Sequence, residues 1–230
     1  MGFMYMGFDL SFFVLVLPAL LFTLWAQFRV KGNFEKYSKE RTTNGLTGAQ
    51  AAAEVLRHAG VTNVRIERIA GHLTDHFDPR GNVIRLSESV YDAPTVAAVG
   101  VAAHEAGHAI QYAFGYSPMK VRAAIIPVTN IGSRLAMPLL LAGFFLQLVG
   151  LMYIGIALFS FAVLFQLITL PVEFNASNRA VAALDNYSML TPQELKGSKK
   201  VLTAAALTYV AALAMSLAQL IRFISMARRR

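Results

Sequence analysis

Residues 135–172 read LAMPLLLAGFFLQLVGLMYIGIALFSFAVLFQLITLPV, 38 positions without a charged side chain, and Glu173 follows at once. As one straight helix the run would be about 57 Å long at 1.5 Å per residue. A hydrocarbon core is about 30 Å thick, so the run is too long for one crossing. Divided near Gly150 and Gly155 it gives two spans, 131–149 and 152–169, folded as a hairpin. The chain then returns to the side of the membrane it left, with Glu173 at the surface.

Two further uncharged runs frame the chain. Residues 10–28 cover 19 positions between Asp9 and Arg29, and residues 201–221 cover 21. About 20 apolar residues cross a bilayer as a helix, so each run predicts one span, the first kinked at Pro18. Residues 1–7 carry no basic side chain, and no small-x-small site follows the run. A retained span is therefore expected there, not a cleaved signal peptide. Alanine fills much of the last run (Ala204, Ala205, Ala206, Ala211, Ala212, Ala214, Ala218). Small residues let helices approach closely in lipid, which predicts that this helix packs inside the bundle. Basic residues set the orientation. Residues 29–134 hold 13 Lys and Arg and residues 173–200 hold four, making 17 against the four at the C-terminus (Arg222, Arg228, Arg229, Arg230). The positive-inside rule then places the polar segments in the cytoplasm and the N-terminus outside.

Composition agrees with a membrane protein. Of 230 residues, 56% are hydrophobic and 15% charged, against about 25% charged in soluble domains. The absence of cysteine excludes disulfides, thiol catalysis and thiolate zinc sites. A net charge of +8 in so apolar a chain points to lipid headgroups, not nucleic acid. The apolar runs lack the interior charges that transport usually needs. Residues 29–130 form the one stretch long enough for a water-exposed unit. Within it Thr47 and Gln50 spell a capping box before a helix closed by Gly60. Residues 64–67 alternate like a strand, 78–82 (DPRGN) is turn chemistry, and 83–86 predicts a second strand. Residues 93–114 return to a helical pattern.

Inside that last helix the chain reads His104-Glu105-Ala106-Gly107-His108. Histidines four apart lie on one helix face, so both imidazoles can reach one Zn²⁺ at about 2.0–2.1 Å. Glu105, next to His104, is placed to act as general base toward a metal-bound water. A zinc hydrolase needs three protein ligands and an open position. The third must lie on the same side of the membrane, and Glu173, brought back by the hairpin, is the expected ligand. The plain alternatives are two helix histidines satisfied by neighbours and a carboxylate anchoring a helix end.

The stretches Leu73-Thr74-Asp75-His76-Phe77-Asp78-Pro79, Val99 through Gln111, Leu170-Pro171-Val172-Glu173-Phe174 and Lys200 through Val210 resemble the YugP-type neutral zinc metallopeptidases of bacteria. The resemblance covers nearly the whole chain. More distantly, the two histidines, the membrane hairpin and Glu-Phe-x-Ala look like the HtpX and CAAX-prenyl-protease group of membrane gluzincins. In that group an aspartate usually follows the glutamate by four residues and supports the site. Ser177 stands there in this chain, which puts that supporting role in question.

The expected fold is thus mainly α, a multi-pass membrane protein with about four transmembrane helices and a small α+β, zincin-like cytoplasmic unit. The segments are a first span (1–28), the zincin-like unit (29–130), the hairpin (131–172), a third-ligand helix and loop (173–200), and an alanine-rich helix with a basic tail (201–230). The resemblance implies a zinc endopeptidase of the plasma membrane, with one Zn²⁺ per chain and a peptide or membrane protein as substrate. A zinc-binding membrane scaffold without turnover is the rival reading. Three further sites carry competing readings. His76 could donate a hydrogen bond to the developing oxyanion or sit on an edge strand near the cleft, or be a surface histidine in a turn. Arg179 could polarise a substrate carbonyl or pair with a lipid phosphate. Val83, Ile84 and Arg85 could form an exposed edge strand that holds substrate by strand addition, or an ordinary internal strand.

Overall fold

The structure is a computed structural model that describes residues 10–229. The N-terminal segment expected to face outward, residues 1–9, and Arg230 lie outside the described residues. A π-helical turn, Phe12–Val16, leads into α1 (Leu17–Tyr37). Next come α2 (Gly48–His58), β1 (Arg65–Ile69), β2 (His76–Asp78), β3 (Val83–Ser87), α3 (Glu88–Tyr91) and α4 (Val96–Ala113). Three long helices complete the chain: α5 (Ser117–Phe145), α6 (Val149–Asn186) and α7 (Pro192–Arg228). Four helices are long and apolar enough to cross a membrane: Phe12–Tyr37, Ser117–Phe145, Val149–Asn186 and Pro192–Arg228. The protein is a mainly α membrane protein with a small α+β part.

The chain divides into two compact units. The apolar unit comprises the residues up to Gln27, Val121–Leu170 and the residues from Thr208 onward. The polar unit comprises Phe28–Lys120 and Pro171–Leu207.

In the apolar unit a π-helical turn stands immediately before Pro18, where a kink was expected. Pro18 has no N–H, and its ring crowds the carbonyl four residues back. The backbone widens by one residue, and Leu17 N–H bonds Phe12 O. The hairpin turn falls at residues 146–148, not at Gly150 and Gly155, and Gln147 takes the positive φ of 59°. Both glycines are helical. A Cβ on Gly155 would lie 2.8 Å from Leu140 Cγ and 3.0 Å from Ala136 O, and one on Gly143 would lie 2.7 Å from Met152 N. Glycine therefore brings α5 and α6 together and does not break them. Leu140, Phe144, Met152, Ile156 and Ala227 form this unit's buried cluster. The alanine-rich helix is the most buried of the four over its apolar stretch, at 33% against 17%, 17% and 22%.

In the polar unit the capping box forms as expected, with Gln50 N–H donating to Thr47 Oγ1 at 3.3 Å and Thr47 N–H to Gln50 Oε1 at 3.0 Å. The sheet has the order β1-β3-β2, with β1 and β3 parallel and β2 and β3 antiparallel. The strand of Val83, Ile84 and Arg85 is therefore the central one, not an edge. Val83 and Ile84 are fully buried, and Arg85 is tied to Asp78 at 2.9 Å and Glu67 at 3.6 Å. Both of its edges already carry a strand, so it cannot accept a substrate backbone. Helix α4 runs through the core, with 14 of its 18 residues buried. Its alanines and glycines make that possible. A Cβ on Gly107 would lie 2.6 Å from Ala176 O, so α4 and α6 touch backbone to backbone there.

Candidate metal centre

Helix α4 presents His104 and His108 one turn apart, and their rings meet edge to face with centroids 4.6 Å apart. Helix α6 brings Glu173 against them. His104 Nε2 and His108 Nε2 each lie 3.4 Å from the same oxygen, Glu173 Oε2. The three ligand atoms lie within 4.8 Å of one another, and among the described residues this is the group of His, Cys, Asp or Glu that could hold a metal ion. Zinc bonds of about 2.0–2.1 Å in a tetrahedron put neighbouring ligand atoms about 3.3–3.4 Å apart. Two imidazole nitrogens and a carboxylate oxygen at 3.4 Å thus fit zinc both in chemistry and in spacing.

The close approach at Gly107 is what lets one carboxylate reach both rings. Glu173 is 2% exposed, and His108 and Glu105 are each 8% exposed. Burial alone would favour a neutral His108, but the facing carboxylates of Glu173 and Glu105 outweigh it and raise its pKa above the ordinary imidazole value. Glu105 thus sits near the paired rings, buried in the same helix.

Each histidine's second nitrogen has its own partner. His104 Nδ1 lies 3.1 Å from Ser177 Oγ, so the serine that replaces the expected aspartate still contacts the site. His108 Nδ1 lies 3.0 Å from Gln111 Oε1. Gln111 is fully buried and donates from Nε2 to Val172 O at 2.8 Å and to Asn175 Oδ1 at 3.0 Å. Arg179 Nε in turn donates to Asn175 Oδ1 at 2.8 Å. Gln111, Asn175 and Gly107 were not singled out from sequence. A glutamine three residues after the second histidine, one turn on, was the available signal.

The other expected residues fall elsewhere. His76 is exposed on the edge strand β2 with Nδ1 2.8 Å from Thr74 O, outside the metal cluster. The neighbouring Phe77 ring packs 5.8 Å from that of Tyr112, on the turn of α4 after His108. Arg179 reaches the centre through Asn175 and Gln111.

Residues 12–228 match the model of a family described as "putative neutral zinc metallopeptidase". The chain belongs to that family. It is also 48% identical over 213 residues to the "Putative membrane protease YugP" of Bacillus subtilis (strain 168), covering 93% of this chain and 95% of the relative. No solved structure matches. Membership of a zinc metallopeptidase family agrees with a donor set that fits zinc.

Proposed function

We propose that the chain is a membrane-embedded zinc endopeptidase of the gluzincin type, with one Zn²⁺ held by His104, His108 and Glu173. The observation that carries this reading is the convergence of both Nε2 atoms on one oxygen of Glu173, with Glu105 buried on the same helix. Zinc held there would supply Lewis acidity toward the scissile carbonyl and the attacking water. Glu105 is the group that takes a proton from the attacking water and later delivers it to the leaving amine nitrogen. Glu173 and the two imidazoles stay fixed throughout, held by burial. Substrate backbone is held at the edge of the sheet next to α4, and that edge is β2.

Glu105→Gln tests the mechanism. The amide keeps the shape of the carboxylate but cannot take a proton at neutral pH. Cleavage of an unfolded or membrane-tethered substrate should fall by about 10²–10⁴, with zinc content unchanged. Equal cleavage by both proteins would sink the mechanism. Zinc binding with no cleavage of a broad peptide library by the wild type would favour the scaffold reading.

The site faces the cytoplasm of a plasma membrane, on the 17-to-four charge count. Cysteines placed at the exposed Ser117 and Asn186 should resist an impermeant thiol reagent in intact cells, whereas one at Leu146 in the hairpin turn should react. The opposite pattern would invert the topology.

A further inference from the structure

We propose that Gln111, oriented by Asn175 and Arg179, fixes His108 in the tautomer a metal requires and ties it to the helix that carries Glu173. The inference rests on the metal-centre reading above and assigns positioning roles that reading does not contain. It follows from the direction of each hydrogen bond. An arginine can only donate, so the Asn175 atom that meets Arg179 Nε at 2.8 Å must be the carbonyl oxygen. That oxygen also lies 3.0 Å from the Gln111 amide, so the atom Gln111 turns toward it must be the nitrogen. The backbone carbonyl of Val172, 2.8 Å from the same nitrogen, can only accept and imposes the same orientation independently. Gln111 Oε1 is left facing His108 Nδ1 at 3.0 Å, and an amide oxygen accepts. With a metal on Nε2, beside Glu173 Oε2, the one remaining ring proton of His108 would sit on Nδ1 and be donated to Gln111.

The burial of Gln111 makes this ordering strict. With no exposed surface, the glutamine cannot turn and exchange its partners for water without leaving buried acceptors unsatisfied. Val172 immediately precedes Glu173, so the same amide anchors the backbone of the third ligand. His104 has no such chain. Its partner is the Ser177 hydroxyl, which can donate or accept and so leaves the tautomer of His104 open. Arg179 is thus a positioning residue, and its Nε is committed to Asn175.

The test uses full-length protein in detergent or nanodiscs. Zinc affinity is read by competition with a chelator. The Nδ1–H hydrogen bond of each histidine is read from ¹⁵N and ¹H shifts of histidine-labelled, zinc-loaded protein. Gln111→Leu should weaken zinc binding about 10–100-fold and shift the His108 Nδ1–H signal, which loses its acceptor, leaving that of His104 unchanged. Asn175→Asp keeps the doubly accepting oxygen and should hold both zinc affinity and the His108 signal near wild type. Asn175→Leu and Arg179→Met should move both toward the Gln111→Leu result. Should Gln111→Leu fail to fold, the Asn175 and Arg179 variants, changed at half-buried positions of α6, carry the test. Wild-type affinity together with an unshifted His108 Nδ1–H signal in Gln111→Leu or in Asn175→Leu would overturn the proposal. Wild-type protein that binds no zinc would instead overturn the metal-centre reading, and the His108 Nδ1–H signal of the zinc-free protein and its Gln111 variant would still decide this one.

Discussion

The two units share one packing device and use it for different ends. In the apolar unit Gly143 and Gly155 let α5 and α6 approach until a Cβ would collide with backbone atoms. In the polar unit Gly107 does the same for α4 and α6, beside His108 and three residues along α6 from Glu173. What differs is the chemistry behind the contact. Every carboxylate and every imidazole among the described residues lies in the polar unit. The described charged residues of the apolar unit are arginines only: Arg122, Arg134, Arg222, Arg228 and Arg229. Close packing in the apolar unit therefore serves helix association. In the polar unit it sets the distance between ligands, so the same kind of substitution should be read out by different instruments in the two places.

Gly107→Ala should give the largest effect in this comparison. The obstructing atom is a backbone carbonyl 2.6 Å from the new Cβ, which no rotamer change can relieve. Overpacking of this kind costs about 1–3 kcal/mol, and moving α6 away from α4 is the direct relief. That movement separates Glu173 Oε2 from both rings. Zinc affinity should fall about tenfold or more, since about 1.4 kcal/mol is a factor of ten. Chelator competition checks it, and unchanged affinity would show that the helix contact does not set the ligand distances. Gly155→Ala is the counterpart. Its nearest contact is the side-chain carbon of Leu140 at 2.8 Å, with backbone atoms at 3.0 Å. A cost near the lower end, about 1 kcal/mol, should appear as a lower unfolding temperature in detergent with zinc affinity intact. Lost zinc affinity in Gly155→Ala would break the distinction between the units.

The same contrast explains what could be read from sequence. The four spans were legible because uncharged runs of 19 to 38 residues have few other uses. The pairing of Glu173 with His104 and His108 was legible because a hairpin must return the chain to the side it left. The turn was misplaced because glycine was read as a breaker, as in water, whereas in these helices Gly155 is a contact surface. Whether Val83–Arg85 was an edge or an internal strand stayed open because an alternating pattern gives a strand but not its neighbours. The short β2, three residues long, is too brief for an alternating pattern to show, and its last residue opens the DPRGN turn. The Gln111–Asn175–Arg179 chain was illegible for a simpler reason. It joins residues 64 positions apart, and only the folded packing of α4 on α6, through Gly107 and a shared core, brings them together.

The smallest effect on the centre itself should come from a buried carboxylate of the polar unit that plays no part in it. Glu194 lies in the first turn of α7, ahead of the apolar run that begins at residue 201, and is 8% exposed. Its Oε1 accepts from Thr43 N–H at 2.7 Å, and its Oε2 accepts from Thr191 N–H at 2.8 Å and from the Thr191 hydroxyl at 2.9 Å. Thr191 and Glu194 thus cap α7 while pinning the segment that leaves α1. Burial opposes the charge, but the bonds from Thr191 and Thr43 outweigh it and hold the carboxyl below its usual value of 4.5. A carboxyl depressed on folding contributes stability that is present above the unfolded value and lost as pH falls through the folded one. Glu194→Gln retains one accepting oxygen and should cost about 1–2 kcal/mol at neutral pH. The gap between wild type and variant should narrow as pH drops below about 4.5, because the wild type then loses its charge-assisted bonds as well. Thermal unfolding followed by circular dichroism between pH 7 and pH 3 measures that gap. A difference that stays constant across the range would mean that the shape of the side chain matters here and its charge does not.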